Sequence, residues 1–238
     1  MPDLSDEEQR VIAYSLRHAR GRYGSERASQ LSGVPQRTIY DWRSEKVFVA
    51  DYPTAKPATW SYRDLVLLRL LAWLRQGGMQ RPMAAEKVAS VRDQLSAGLE
   101  IRHIHATRTD IVLSGDPEAA FADDKDNFLP FSNFYDLLAT FDLHEPIDEL
   151  RSTSRNDVWA PDLVAPSQHS RISPWVLAGD PCVVNSRIPT AAIFALRTER
   201  GLPTASVVEL YPGLSTSAVE DVTNLERRLR IADEPLAA

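Results

Sequence analysis

Residues 25–43 read Ser25-Glu26-Arg27-Ala28-Ser29-Gln30-Leu31-Ser32-Gly33-Val34-Pro35-Gln36-Arg37-Thr38-Ile39-Tyr40-Asp41-Trp42-Arg43. The pattern predicts a short helix, a tight glycine turn and a second helix, as in a helix-turn-helix. Small Ala28 and Ser29 let the two helices approach, and Val34, Ile39 and Trp42 give the second helix an inward face. Gln36, Arg37, Tyr40 and Arg43 are left to point outward. Gln and Arg hydrogen-bond base edges or phosphates, and Tyr can donate to phosphate. Arg43, Lys46 and Lys56 are the candidates for holding backbone phosphates. The same helix–glycine–helix unit also serves as a plain structural corner, so its flanks matter.

Upstream, Ser5 followed by Glu8 forms a capping box, and Val11, Ile12 and Leu16 recur at helical spacing. Downstream, Val47–Val49 reads as a short strand, Asp51–Thr59 as a hairpin tip and Thr59–Ser61 as the return strand. Tyr62–Gln76 is apolar on most sides, which predicts a buried helix ended by Gly77 and Gly78. Pro82 opens a further helix that Gly98 stops. From Glu100 the period changes to two, predicting a strand pair that ends near Leu113. An acidic loop, Asp116–Asp126, precedes an aromatic-rich helix around Ser132–Phe141, and His144–Ser170 has the composition of a connector. In the last part, Ile172–Val184 predicts two short strands. Helices follow over Pro189–Gly201 and Thr204–Tyr211 and from Ser215 onward, with Val219, Val222, Leu225 and Leu229 on one face. The expected fold is mainly α with small β elements: an N-terminal winged helix-turn-helix plus a small C-terminal helical module with a β-hairpin. The expected boundaries are 1–98, 99–168 and 169–231.

The 238 residues carry a net charge of −6, which at first sight argues against nucleic acid. The charge is unevenly placed. Residues 1–80 hold 12 Lys+Arg against 9 Asp+Glu, residues 81–168 hold 8 against 16, and residues 169–238 hold 7 against 8. Anion binding follows the local cationic surface, so the N-terminal third remains a candidate. One cysteine excludes an internal disulfide framework and a thiolate-based structural zinc site. The start, MPDLSDEEQR, lacks the features of a signal peptide, and no apolar run reaches a membrane span, so a cytoplasmic protein is expected. There is no P-loop, G-x-G-x-x-G or G-x-S-x-G pattern, and no enzyme activity or cofactor is expected. His103 and His105, with Asp110, make only a weak metal candidate, and no metal is expected. Cys182 reads as a small buried hydrophobe.

Two resemblances sharpen this. Tyr23-Gly24, Ala28, Leu31, Gly33-Val34, Arg37-Thr38-Ile39 and Trp42, then the wing and Tyr62-Arg63-Asp64-Leu65, resemble the winged helix of MerR-like regulators over about residues 22–90. The sequence departs from that family in having no sustained heptad for a coiled-coil dimer and no cysteine cluster. Gly179-Asp180-Pro181-Cys182-Val183-Val184-Asn185-Ser186-Arg187-Ile188-Pro189 resembles the signature of a small antitoxin-associated domain of unknown function. Gly201-Leu202-Pro203 and Tyr211-Pro212-Gly213-Leu214-Ser215 also match it. The combination resembles the larger VapB-type antitoxins of mycobacterial VapBC pairs. That resemblance implies two partners, a PIN-type ribonuclease toxin and operator DNA, and a homodimer or a hetero-oligomer with the toxin. The candidate toxin-binding residues are Trp175, Arg187, Arg227, Arg228 and Arg230. The basic run at 227–230 is also what a solvated helix end looks like, with cations favoured by the helix dipole. The alternative function is a stand-alone MerR-like regulator that responds to a small molecule.

Overall fold

The computed structural model describes residues 4–99, 104–106, 111–113, 137–143 and 158–231. The expected loop at 116–126, the first half of the helix around 132–141, and His103, Asp110 and His144 lie outside the described residues.

Helix α1 (Asp6–Arg17) starts at the expected capping box: Ser5 Oγ accepts from the Glu8 N–H, and the Glu8 carboxylate accepts from the Ser5 N–H at 2.9 Å. Strand β1 (Tyr23–Gly24) leads into α2 (Ser25–Ser32), and Gly33, left-handed at φ 77°, turns the chain into α3 (Gln36–Ser44). Strand β2 (Thr59–Trp60) pairs antiparallel with β1, Tyr23 opposite Trp60. Helices α4 (Tyr62–Gln76) and α5 (Arg81–Ala97) follow. Two further antiparallel pairs are β3 (Ile104–Ala106) with β4 (Ile111–Leu113), and β5 (Phe141–Leu143) with β6 (Val158–Ala160). The C-terminal part opens with β7 (Ser170–Arg171) paired to β8 (Cys182–Val183). It continues with α6 (Thr190–Phe194), a wider turn over Ala195–Glu199, α7 (Thr204–Leu210) and α8 (Thr216–Ile231). The described residues are thus mainly helical with small antiparallel strand pairs.

Helix α4 is the centre of the larger core. Leu65, Val66, Leu67, Leu68, Leu70 and Leu71 are all fully buried, so apolar side chains on every side are matched by neighbours on every side. Its start carries a second reciprocal cap, Ser61 with Asp64. Arg69 is also fully enclosed, and its guanidinium donates to backbone carbonyls. Nη1 donates to Leu137 O at 2.8 Å and Ala139 O at 2.7 Å, and Nη2 to Leu31 O at 2.6 Å and Pro161 O at 2.5 Å. Burial pulls its pKa down to about 9.

Four expectations are corrected. No strand forms at 47–49. Phe48 turns into the core, with the Arg92 guanidinium 4.9 Å from its ring centre, and the Asp51 N–H donates to the Asp64 carboxylate. The backbone that a hairpin would use is committed to a buried polar cluster, so β2 pairs with β1 instead, and Tyr52 meets Thr59 only through an isolated bridge. The expected wing is therefore a loop. In that cluster Arg63 grips Asp51 with two bonds of 2.6 and 3.0 Å, and Arg92 reaches both Asp51 and Asp64. Burial pushes the Asp64 carboxyl up to about 6. For Asp51 burial works the same way, but the Arg63 bonds and the Arg92 charge outweigh it and hold the carboxyl below its usual value. Second, the aromatic-rich segment is not helical at its described end, since Phe141 begins β5. Third, the connector is not all connector: Val158–Ala160 is a strand, and Leu163 and Val164 are buried in the main core. The C-terminal strand pair also differs from expectation. Its partners are 170–171 and 182–183, separated by a ten-residue loop rather than a Gly-Asp-Pro hairpin turn.

The Arg69→Met variant keeps the apolar stem but leaves four carbonyls without their donor. It is expected to lose on the order of 3 kcal/mol or more in urea unfolding. A loss below about 1 kcal/mol would show that those carbonyls find other donors.

Candidate functional site

The outer face of α3 carries the sequence-predicted reader residues, and the structure divides them. Arg37 projects into solvent with its side chain 82% exposed, and it pairs loosely with Asp41 at 3.8 Å. Such an exposed pair contributes about 0–1 kcal/mol, so Arg37 can exchange Asp41 for another anion at little cost. Gln36 is half-buried at the start of α3, while Lys46 and Lys56 are exposed in the loop that follows. Tyr40 and Arg43 are tied down instead. The Tyr40 hydroxyl is 2.5 Å from Ser25 Oγ, and its ring meets Trp60 edge-on at 5.9 Å. Arg43 donates to Pro53 O at 2.8 Å and lies over the Trp60 ring. These two side chains hold the 51–58 loop and the start of α2 against α3. They position the outer face of α3 more than they extend it. Arg22, which the sequence reading passed over, is exposed with its guanidinium 5.0 Å from the Tyr52 ring centre. Nothing in its local sequence distinguishes it from other surface arginines.

The C-terminal part has its own small core of Val183, Ile193, Val207, Val219 and Val222. It is joined to α2 by a buried ionic junction. Arg27 donates from Nε to Asp180 at 2.9 Å and from Nη1 and Nη2 to the two oxygens of Glu226 at 3.2 and 3.1 Å. Thr190 completes the junction by donating to Glu226 at 2.5 Å. Burial works against the Arg27 charge, but the Glu226 and Asp180 carboxylates outweigh it and raise its pKa. Burial raises the Asp180 carboxyl, with Arg27 opposing. A fork–fork pair of this kind fixes orientation as well as distance.

The five predicted partner-binding residues are not brought together. Arg228 lies over the Trp159 ring at 3.9 Å, Arg230 over Phe194 at 4.4 Å, and Arg227 bonds its neighbour Asn224. Arg187 is exposed on the rim of an open cleft of about 490 Å³, with Arg171, Ser173, Asn185 and Ser186 around it. Trp175 stands elsewhere, 53% exposed and 5.1 Å from the ring of Tyr14. Arg20 sits over both rings, at 5.1 Å from Trp175 and 5.6 Å from Tyr14. Two of the three terminal arginines are thus engaged with the chain's own aromatic rings.

Among the described residues, no three His, Cys, Asp or Glu side chains converge as a metal site. No helix among them is long and apolar enough to cross a membrane. Cys182 is buried, its thiol donating to Asp180 O, and burial together with the Asp180 charge pushes its pKa up to about 11. At pH 8 its thiolate fraction falls roughly 100-fold below that of an ordinary cysteine. Iodoacetamide labelling of the folded chain at pH 8 should therefore be about two orders of magnitude slower than after denaturation. Equal rates would contradict the burial.

None of the curated proteins and none of the solved structures compared matches the chain. Residues 171–224, from the second residue of β7 through the first half of α8, match a family described as a protein of unknown function, DUF433.

Proposed function

We propose that the chain is the antitoxin of a type II toxin–antitoxin pair. It binds and neutralises a PIN-type ribonuclease toxin and represses its own operon through the α2–α3 helix pair. The observation that carries this reading is the attachment of a DUF433-like segment, of a type found in toxin–antitoxin contexts, to the first helix of a helix-turn-helix. The attachment runs through Arg27, Asp180 and Glu226. The MerR-like resemblance of residues 22–90 supports DNA reading by α3, with Gln36 and Arg37 toward bases and Lys46, Lys56 and Arg22 toward phosphates. The corrected wing weakens only the hairpin part of that resemblance. Arg37, Lys46 and Lys56 are exposed on α3 and the loop that follows it, which supports this reading. Two copies binding a two-fold operator would match the usual geometry of such readers.

Arg37→Ala should weaken operator binding by about 1–3 kcal/mol in a gel-shift titration at fixed salt. Lys56→Ala should lower affinity for all sequences alike and reduce the salt dependence. Unchanged titrations for both variants would remove α3 and its loop as the reader. Co-expression of the chain with the product of the adjacent reading frame should give one complex on a sizing column. Two separate peaks would sink the antitoxin reading and leave a stand-alone regulator.

A further inference from the structure

We infer that Tyr14, His18, Arg20, Trp175 and Leu177 form the surface on which the protein partner docks. The partner segment it fits carries a carboxylate beside an apolar side chain. This rests on the partner reading above and adds the place and chemistry of contact.

Tyr14, Trp175 and Leu177 account for three of the seven large exposed hydrophobic side chains among the described residues. Tyr14 and Trp175 touch, with Leu177 two residues further along, and His18 packs on Tyr14 at 4.2 Å. An apolar group of this kind, presented with an arginine, has the composition of a binding hot spot.

The loop that presents it is held, not slack. Leu177, Ala178 and Gly179 are all left-handed, at φ 46°, 57° and 97°. Two of these are residues that rarely adopt that region, and such strain is retained where surrounding contacts enforce it. The contacts are present. The Arg22 N–H donates to Ala178 O at 2.8 Å, the Gly179 N–H donates to Val176 O, and Asp180 is gripped by Arg27. A Cβ at Gly179 would lie 2.0 Å from the Tyr23 hydroxyl, so the loop packs there as closely as a glycine allows. The strain holds Leu177 outward at 45% exposure instead of letting it fold onto the core.

Charge and geometry select the partner. Among the described residues no carboxylate pairs with Arg20 or Arg22, and the Arg20 side chain makes a long 3.5 Å hydrogen bond to the Tyr14 hydroxyl. The guanidinium lies over two rings, which leaves its N–H edge for a carboxylate, and an aromatic frame strengthens such a pair by excluding water. Single-stranded nucleic acid is the poorer fit. Base stacking needs open ring faces, whereas Tyr14 and Trp175 are turned toward each other and toward Arg20, and Leu177 offers no ring.

The test uses the full chain and the purified product of the adjacent reading frame. Arg20→Gln, Trp175→Ala and Leu177→Gly are compared by titration calorimetry, by operator gel shift and by thermal unfolding. Leu177→Gly suits the left-handed backbone, so it removes the side chain without disturbing the loop. Each variant is expected to bind the partner at least tenfold more weakly, with operator affinity unchanged. Leu177→Gly should unfold no earlier than the wild type. Wild-type affinity in all three variants would overturn the patch and leave the partner reading standing. A wild-type chain that fails to bind the product overturns the partner reading, and the patch with it. Variants that keep the partner but lose nucleic acid would overturn the assignment to protein.

Discussion

A cation sealed inside an apolar helix has to be answered by acceptors, and the placing of Arg69 in α4 imposes that requirement on the rest of the chain. Its four acceptors come from the end of α2, from residues 137 and 139, and from Pro161. The carbonyl of Leu31 belongs to the last turn of α2, where helix carbonyls lack partners of their own. Arg69 therefore closes the corner of the helix-turn-helix from below. The same guanidinium draws the chain on both sides of the β5–β6 pair onto α4. A missing guanidinium would leave several buried carbonyls without these donors at once.

Around that fixed corner the ionic groups divide by what they connect. Asp51, Asp64, Arg63 and Arg92 bind the loop after α3 to the starts of α4 and the end of α5. Arg27 with Asp180 and Glu226 binds α2 to the C-terminal part. Buried pairs of this sort add little net stability compared with apolar packing, but they fix which groups face one another. Helix α2 consequently sits between two loads. One side orients α3 and its exposed Arg37, and the other side carries the segment that matches DUF433. The Arg27 guanidinium thus links Asp180 and Glu226 directly to α2, the helix that packs against α3.

What the sequence made legible was local. The Ser5 cap, the α2–Gly33–α3 corner and the buried α4 follow from residue types and period, and each stands where the pattern puts it. What escaped was pairing across distance. Arg69 looked like a break in an apolar run, because nothing nearby in sequence announces four carbonyls brought from elsewhere. Residues 47–51 have strand composition, yet Phe48 and Asp51 have stronger claims on them from Arg92 and Asp64. Leu163 and Val164 were hidden among prolines and polar residues. For the candidate site, the spacing predicts outward side chains at Arg37, Tyr40 and Arg43; Arg37 is exposed, while Ser25, Pro53 and Trp60 hold the other two. Trp175 is a candidate contact residue in the sequence and is exposed in the structure, but its companions Tyr14 in α1 and Arg20 just after it are far away in the chain and composition does not announce them.

Helix α8 contributes to both cores. Val219 and Val222 fill the smaller cluster, whereas Leu225 and Leu229, one and two turns further on, belong to the larger one. A boundary drawn between the two clusters would have to cut through a continuous helix. The smaller cluster alone is too slight to be a self-sufficient domain, and it borrows its rigidity from the larger body through that shared rod. The fold therefore couples the two clusters along α8: a pull on its C-terminal half loads the main core and, through the same continuous helix, the segment that matches DUF433.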